Sequence, residues 1–317
     1  MPRKPNDLKI IFFGSSDFAV PILNSLIQNN WDVVSVITRP DRPKGRKQEL
    51  SPTIVKLFAQ SKKITVLEFK TLKEKAVQKT IKDLGADIAV VASYGMIIPS
   101  DILRICRKGF INIHPSMLPK YRGPSPIQFT VLNGEIKTGV SFMEMDQQLD
   151  HGAIIKQFPV KVTDDDDYKS LHDRLSDEAA SQINDLLLAW CNNEIHSKKQ
   201  DDHEATFTKI LTKEDGKIVW KRPAESIVRQ IKAFRVWPGT WTTIGSNRLK
   251  IIDAVVSEER SRLSPGFIKI KNGKITVGCG NNSSIDLITL QPEGKNEMNA
   301  KDYANGFSGN NGKTMGI

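Results

Sequence analysis

Asn112 and His114 stand two residues apart in the run Ile111-Asn112-Ile113-His114-Pro115. Alternate side chains on a strand point to opposite faces, so Ile111 and Ile113 share one face and Asn112 and His114 the other. Two polar side chains closing an apolar strand would stand at the carboxyl edge of a parallel sheet, where such folds bind ligands. The same pattern also fits a strand end that merely bonds to its following loop. A second segment, Asp146-Gln147-Gln148-Leu149-Asp150-His151-Gly152, offers two carboxylates beside a turn glycine, and each aspartate alone could be a turn former. Brought together, an Asn, a His and an Asp suit acyl transfer. Asn can donate to a developing oxyanion, His can do the same or move a proton, and Asp can orient the His or the attacking group. No Ser or Cys stands in an activating context, which points to direct attack by a substrate amine rather than a covalent acyl-enzyme.

A third segment, Arg39-Pro40-Asp41-Arg42-Pro43-Lys44-Gly45-Arg46-Lys47, holds five basic residues and one acidic. Its prolines and glycine argue against helix or strand. Such a loop can lay Arg42, Lys44, Arg46 and Lys47 on phosphates, or it can simply be solvated. The whole chain of 317 residues carries 46 Lys+Arg against 36 Asp+Glu, a net charge of +10. From Thr206 onward there are 18 basic and 10 acidic residues. That distribution hints at a polyanionic partner for the C-terminal part.

The elements that must position these residues are legible from periodicity. Residues 8–13, 33–37, 64–67, 87–92 and 110–114 read as short apolar strands, with helical patterns opening at Asp17 and Pro52 and over 72–84. This alternation predicts a doubly wound, mostly parallel α/β sheet. Two longer strands are expected over 139–145 and 153–162, then a helix over 168–191. The aspartates before that helix suit its N-terminal dipole better than a metal, since no spaced ligand pattern follows. Residues 192–205 are polar and aperiodic and read as a linker. Residues 206–306 hold one helix, 224–234, and five short strands, with Asn272-Gly273 a hairpin signal, so a small barrel or sandwich is expected there. Residues 307–317 are expected to lack order.

Composition and motifs exclude several classes. No stretch approaches the roughly 18 apolar residues of a membrane helix, and the N-terminal apolar run is too short for a signal peptide core. Cys106, Cys191 and Cys279 are widely spaced and odd in number, which fits neither a disulfide framework nor a zinc site and indicates a reducing, cytoplasmic setting. Gly14-Ser15-Ser16-Asp17 follows the first strand with one glycine where a dinucleotide fingerprint needs three, so nicotinamide or flavin binding in the usual mode is disfavoured.

These segments together resemble the folate-dependent formyltransferases, and within them the methionyl-tRNA formyltransferases, over nearly the whole chain. The resemblance rests on 9–14 with Phe18-Ala19-Val20-Pro21, and on Pro40-Asp41-Arg42-Pro43-Lys44-Gly45-Arg46. It rests further on Asn112 through Gln128, Leu149-Asp150, Trp237-Pro238-Gly239 and Gln291-Pro292-Glu293-Gly294-Lys295. It implies a Rossmann-like catalytic domain over 1–191, a linker over 192–205 and an OB-like β-barrel over 206–306. It implies formyl transfer from 10-formyltetrahydrofolate to methionyl-initiator tRNA by Asn112, His114 and Asp150, without a metal. Ser116, Met117, Leu118 and Pro119 align with the family's folate-contacting loop, and Arg42 and its basic neighbours with the loop that engages the tRNA. A soluble monomer in a bacterial cytoplasm is expected. A formyltransferase for a small amine, such as a sugar nucleotide or purine precursor, would share the three catalytic residues without needing the basic loop. A non-catalytic RNA-binding relative is the other alternative. Met117 stands where the family has leucine, Ser15-Ser16 where Thr-Pro is usual, and His151 where a small hydroxyl residue is common.

Overall fold

Strands that lie between two layers of helix must be apolar on both faces, and the run ending at Gly14 is. The structure, a computed structural model, describes residues 4–44, 49–258, 262–306 and 308–316. In chain order its first strands are β1 (Lys9–Gly14), β2 (Asp32–Thr38), β3 (Arg42–Lys44), β4 (Glu49–Ser51), β5 (Val66–Glu68), β6 (Ile88–Ala92), β7 (Phe110–His114), β8 (Lys137–Glu144) and β9 (Ile154–Lys161). Seven of them form one sheet in the order β5-β2-β1-β6-β7-β8-β9. The first five of that order pair in parallel, and β8 and β9 close the edge antiparallel. Ile10, Ile11, Phe12 and Phe13 are fully buried. Each such side chain contributes roughly 1.5–3 kcal/mol relative to exposure, so the sheet centre anchors the fold. Strand order reverses between β1 and β6, which places the ligand crevice of this fold class beyond Gly14 and Ala92.

The accompanying helices are α1 (Ala19–Gln28), α2 (Ile54–Ser61), α3 (Lys75–Asp83), α4 (Ser100–Leu103), α5 (Pro126–Asn133) and α6 (Tyr168–Cys191). Gly14 is a packing glycine. A Cβ there would lie 2.9 Å from the Ala19 Cβ and 3.2 Å from the Ala92 carbonyl oxygen. Of the aspartates before α6, Asp167 caps it, its Oδ1 accepting from Ser170 N at 2.9 Å, while Asp166 Oδ2 accepts from Thr163 N at 2.8 Å and closes the preceding turn. One expectation is corrected. The basic loop does contain strand, since β3 and β4 form a two-stranded antiparallel ribbon with Pro43 opposite Leu50. Proline is tolerated in a ribbon whose outer edge needs no donor.

The chain divides into two compact units. The first comprises residues 1–126, 137–161 and 172–208, and the second 127–136, 162–171 and 209–317. The second unit contains α7 (Ala224–Phe234) and strands β10 (Thr240–Ile244), β11 (Asn247–Val256), β12 (Ile268–Lys271), β13 (Lys274–Gly278), β14 (Ser284–Pro292) and β15 (Met298–Asn299). They pair antiparallel in the order β10-β11-β14-β13-β12, with β15 on β14. Among the described residues this path is open, with β10 at one end and β12 at the other. Asn272 and Gly273 turn between β12 and β13 with φ of 52° and 76°, as a two-residue hairpin requires. Ile227 and Ile231 of α7 join Leu249, Ile251, Ile285 and Leu290 in the core. Residues 308–316 lie against the sheet of the second unit. Met315 is 3% exposed within that core, and its N–H donates to the Gly266 carbonyl at 2.8 Å. Phe267 and Thr314 form a strand-like bridge, and Asn311 Oδ1 accepts from Ile270 N at 2.9 Å.

Candidate active site

β7 presents Asn112 and His114 on one face, as its alternation requires, and both meet the carboxylate of Asp150. Asn112 Nδ2 donates to Asp150 Oδ1 at 3.2 Å, and His114 Nδ1 lies 3.6 Å from Asp150 Oδ2. The Gly123 N–H also donates to Asp150 Oδ2, at 2.8 Å. His114 is 4% exposed, and its Nε2 lies 2.9 Å from the Tyr121 carbonyl oxygen. A carbonyl can only accept, so Nε2 carries the proton and Nδ1 faces the carboxylate with its lone pair or a second proton. Asp150 holds a left-handed backbone, φ 49°. Gly152, two residues on, has no alternative: a Cβ there would sit 1.8 Å from the Glu144 carbonyl oxygen.

The loop after β7 is pinned from two strands. Ser141 on β8 donates from Oγ to the Ser116 carbonyl at 2.6 Å and accepts from Leu118 N at 3.0 Å. Gln157 on β9 donates to the Leu118 carbonyl and to Ser141 Oγ, both at 2.8 Å. Ser116 and Leu118 are buried side chains, while Met117 and Pro119 are partly exposed. Ser116 Oγ turns back to the Lys120 carbonyl at 2.6 Å. Met117 fits beside β8 because Gly139 leaves room: a Cβ there would be 2.5 Å from the Met117 Sδ. The Leu118–Pro119 peptide is cis.

The polar stretch read as a linker, 192–205, and the first residues after it supply much of the site's frame, and sequence reasoning missed them. Gln200 Nε2 donates to the carbonyls of Asp150 and Gly152 at 2.9 and 2.8 Å. Thr206 Oγ1 accepts from Tyr121 N at 2.8 Å, and Thr208 N donates to the Arg122 carbonyl at 2.8 Å. Arg122, 4% exposed, donates to Gln200 Oε1 at 3.0 Å and to Asp202 at 2.8 Å. The Arg122 hydrogen bond holds the Asp202 carboxyl below the usual carboxylate range. His151 Nδ1 lies 2.5 Å from Asp146 and its Nε2 3.5 Å from Asp202, so this histidine is engaged with neighbours other than Asp150. Burial pushes the Cys106 and Cys279 thiols up to about 12, which keeps them protonated and out of nucleophilic chemistry.

Arg42, exposed on β3, lines a pocket of about 400 Å³ with Ser15, Arg39, Thr53 and neighbouring residues. The loop's single carboxylate, Asp41, is tied to Lys56 at 2.8 Å, and Lys56 also pairs with Glu68 at 2.8 Å. The hydrogen bonds that Lys56 donates to Asp41 and then to Glu68 raise its pKa. The loop therefore keeps its positive charge and loses its negative one to the scaffold. Lys44 belongs to β3, whereas Arg46 and Lys47 lie outside the described residues. Among the described residues, none of Asn112, His114 and Asp150 lines that pocket.

Comparison with known proteins matches this frame. Residues 8–187 match the family model described as formyl transferase, and 210–308 the model of the formyl transferase C-terminal domain. The methionyl-tRNA formyltransferase of Geobacter metallireducens is 40% identical over 301 residues, covering 94% of this chain and 96% of that protein. The one of Caldanaerobacter subterraneus is 36% identical, covering 95% and 97%. In fold, the N-formyltransferase of Helicobacter canadensis, solved with folinic acid and dTDP-3-aminofucose, aligns with a TM-score of 0.66 at 20% identity, covering 90% of this chain and 99% of that one. Glycinamide ribonucleotide transformylase 1 of Symbiobacterium toebii aligns with 61% of this chain and 94% of its own, at a TM-score of 0.51 and 18% identity.

Proposed function

Because the chain belongs to the formyl transferase family, we propose that it moves the formyl group of 10-formyltetrahydrofolate to the amino group of methionyl-initiator tRNA, giving the formylated initiator for protein synthesis. Relatives alike over nearly the whole chain are named for that activity. At the level of chemistry, the reading rests on Asn112 and His114 meeting at one carboxylate, that of Asp150.

The folate donor supplies the formyl carbon and a nitrogen leaving group. Asn112 has two amide hydrogens, of which one lies toward Asp150. The other donates to the formyl oxygen as the neutral amine adds and negative charge develops there. His114, with Nε2–H committed to the Tyr121 carbonyl, works through Nδ1. Nδ1 accepts the proton that the attacking nitrogen sheds, and Asp150 stabilises the imidazolium. That proton is returned to the folate nitrogen as the carbon–nitrogen bond breaks. Loop residues Ser116, Met117, Leu118 and Pro119 hold the folate, which suits their pinning by Ser141 and Gln157 and the partial exposure of Met117 and Pro119. Arg42, Lys44, Arg46 and Lys47 engage phosphates of the acceptor end. The basic second unit grips the rest of the RNA, and the protein works as a monomer in a bacterial cytoplasm.

The test is formyl transfer to initiator and elongator methionyl-tRNA, with dTDP-amino sugar and glycinamide ribonucleotide in parallel. Product on the initiator alone is expected. Product on a small amine and none on tRNA would overturn the substrate assignment, and tRNA binding without product would overturn the catalytic one.

A further inference from the structure

The carboxylate of Asp150 serves three donors or near neighbours at once, yet its residue sits in a left-handed turn that L side chains rarely adopt. The side chain that braces this turn lies fifty residues along the chain. Gln200 spends both amide hydrogens on it, one on the Asp150 carbonyl and one on the Gly152 carbonyl. Its carbonyl end accepts from Arg122 Nε at 3.0 Å. This network also fixes which end of the carboxamide is which, since a reversed amide would set oxygen against two carbonyls and nitrogen against a guanidinium. Arg122 is buried, and it also donates to Asp202, which comes from the same segment as Gln200. Gly123, the residue after Arg122, is the one whose N–H holds the Asp150 carboxylate. The two ends of the Asp150 residue, backbone and side chain, are thus referenced to one Arg122–Gln200 pair.

We propose that Gln200 is a positioning residue for formyl transfer: aligned by Arg122, its carboxamide fixes the Asp150 turn and so the carboxylate that faces Asn112 and His114. The proposal rests on the assignment of those three residues to the reaction. Gln200 acts through Asp150. His151, Asp146 and Asp202 are the titratable neighbours of the arrangement and are paired among themselves and with Arg122.

The experiment is steady-state formylation of methionyl-tRNA by Gln200→Ala and Gln200→Glu, beside Asn112→Ala, with melting curves for each. A misplacement of about 1 Å can cost about 10²-fold, so kcat of Gln200→Ala should fall toward that extent. KM for tRNA and for the formyl donor should stay near wild type, and the acidic limb of the pH–rate profile should move. Gln200→Glu should be as slow, because a carboxylate still accepts from Arg122 but donates to neither carbonyl. Wild-type kcat in either folded variant, or a loss confined to KM, overturns the proposal. If the alanine variant does not fold, Gln200→Glu decides by the same readouts, with Gln200→Met as its uncharged counterpart. Wild-type turnover by Asn112→Ala would instead strike the assignment of the site itself.

Discussion

The end of β7 and the β3–β4 ribbon are both polar segments of the first unit, and they are built on opposite plans. At β7 the polar groups are enclosed and tied: His114 to Tyr121, Asn112 and Gly123 to Asp150, and Asp150 to Gln200. Beside the ribbon Asp41 is tied to Lys56, and on it Arg42 is left in solvent. The difference suits the two roles proposed for them. Charge that develops during bond making is stabilised best by donors that need no rearrangement. A mobile polyanion is attracted best by exposed cations, whose pull salt can screen.

The contrast can be broken hardest at Asn112. Asn112→Ala should lower kcat by about 10²–10³-fold, with an unchanged melting temperature, in a formylation assay. Gly152→Ala attacks the same region through its backbone. With a Cβ 1.8 Å from the Glu144 carbonyl, it should destabilise the fold by about 3 kcal/mol, read by denaturant unfolding, and lose activity with it. Arg42→Ala should leave kcat intact, weaken tRNA binding across sequences and reduce the slope of log Kd against log salt by about 1. An equal slope would show that Arg42 touches no phosphate.

The smallest effect concerns pH. Burial alone would lower the pKa of His172, but hydrogen bonds to Asp17 and Asp173 outweigh it and raise it above the usual 6.5. The hydrogen bond to His172 lowers Asp17 below 3.8. The histidine's contribution is present in full below pH 6.5 and fades as pH rises through its higher folded value. That of Asp17 is present above pH 3.8 and fades as pH falls through its lower folded value. The melting difference between wild type and His172→Gln should therefore be greatest between those two pH values and shrink on either side. A difference that is flat with pH would refute the pairing.

What sequence made legible was what local rules control. Alternation along 110–114 put Asn112 and His114 on one face, and the Asn272-Gly273 turn fell where two apolar runs met. Proline misled at Pro43 because a two-stranded ribbon has edges on both sides. Ser141, Gln157 and Gln200 were invisible for a different reason. Each is a neutral polar residue without period, and its meaning lies in a partner 16 to 78 residues away.

The bracing of Asp150 from Gln200 bears on where this protein can be cut. A catalytic fragment drawn at Cys191 would keep Asn112, His114 and Asp150, and one drawn at the family-model boundary of residue 187 would do the same. Both would discard Gln200, Thr206 and Thr208, and with them the hydrogen bonds to Asp150, Tyr121 and Arg122. A dissected first half that turns over slowly would then report a missing brace, not the missing second unit. A fragment meant to separate those two causes has to run through Thr208, where the first unit ends.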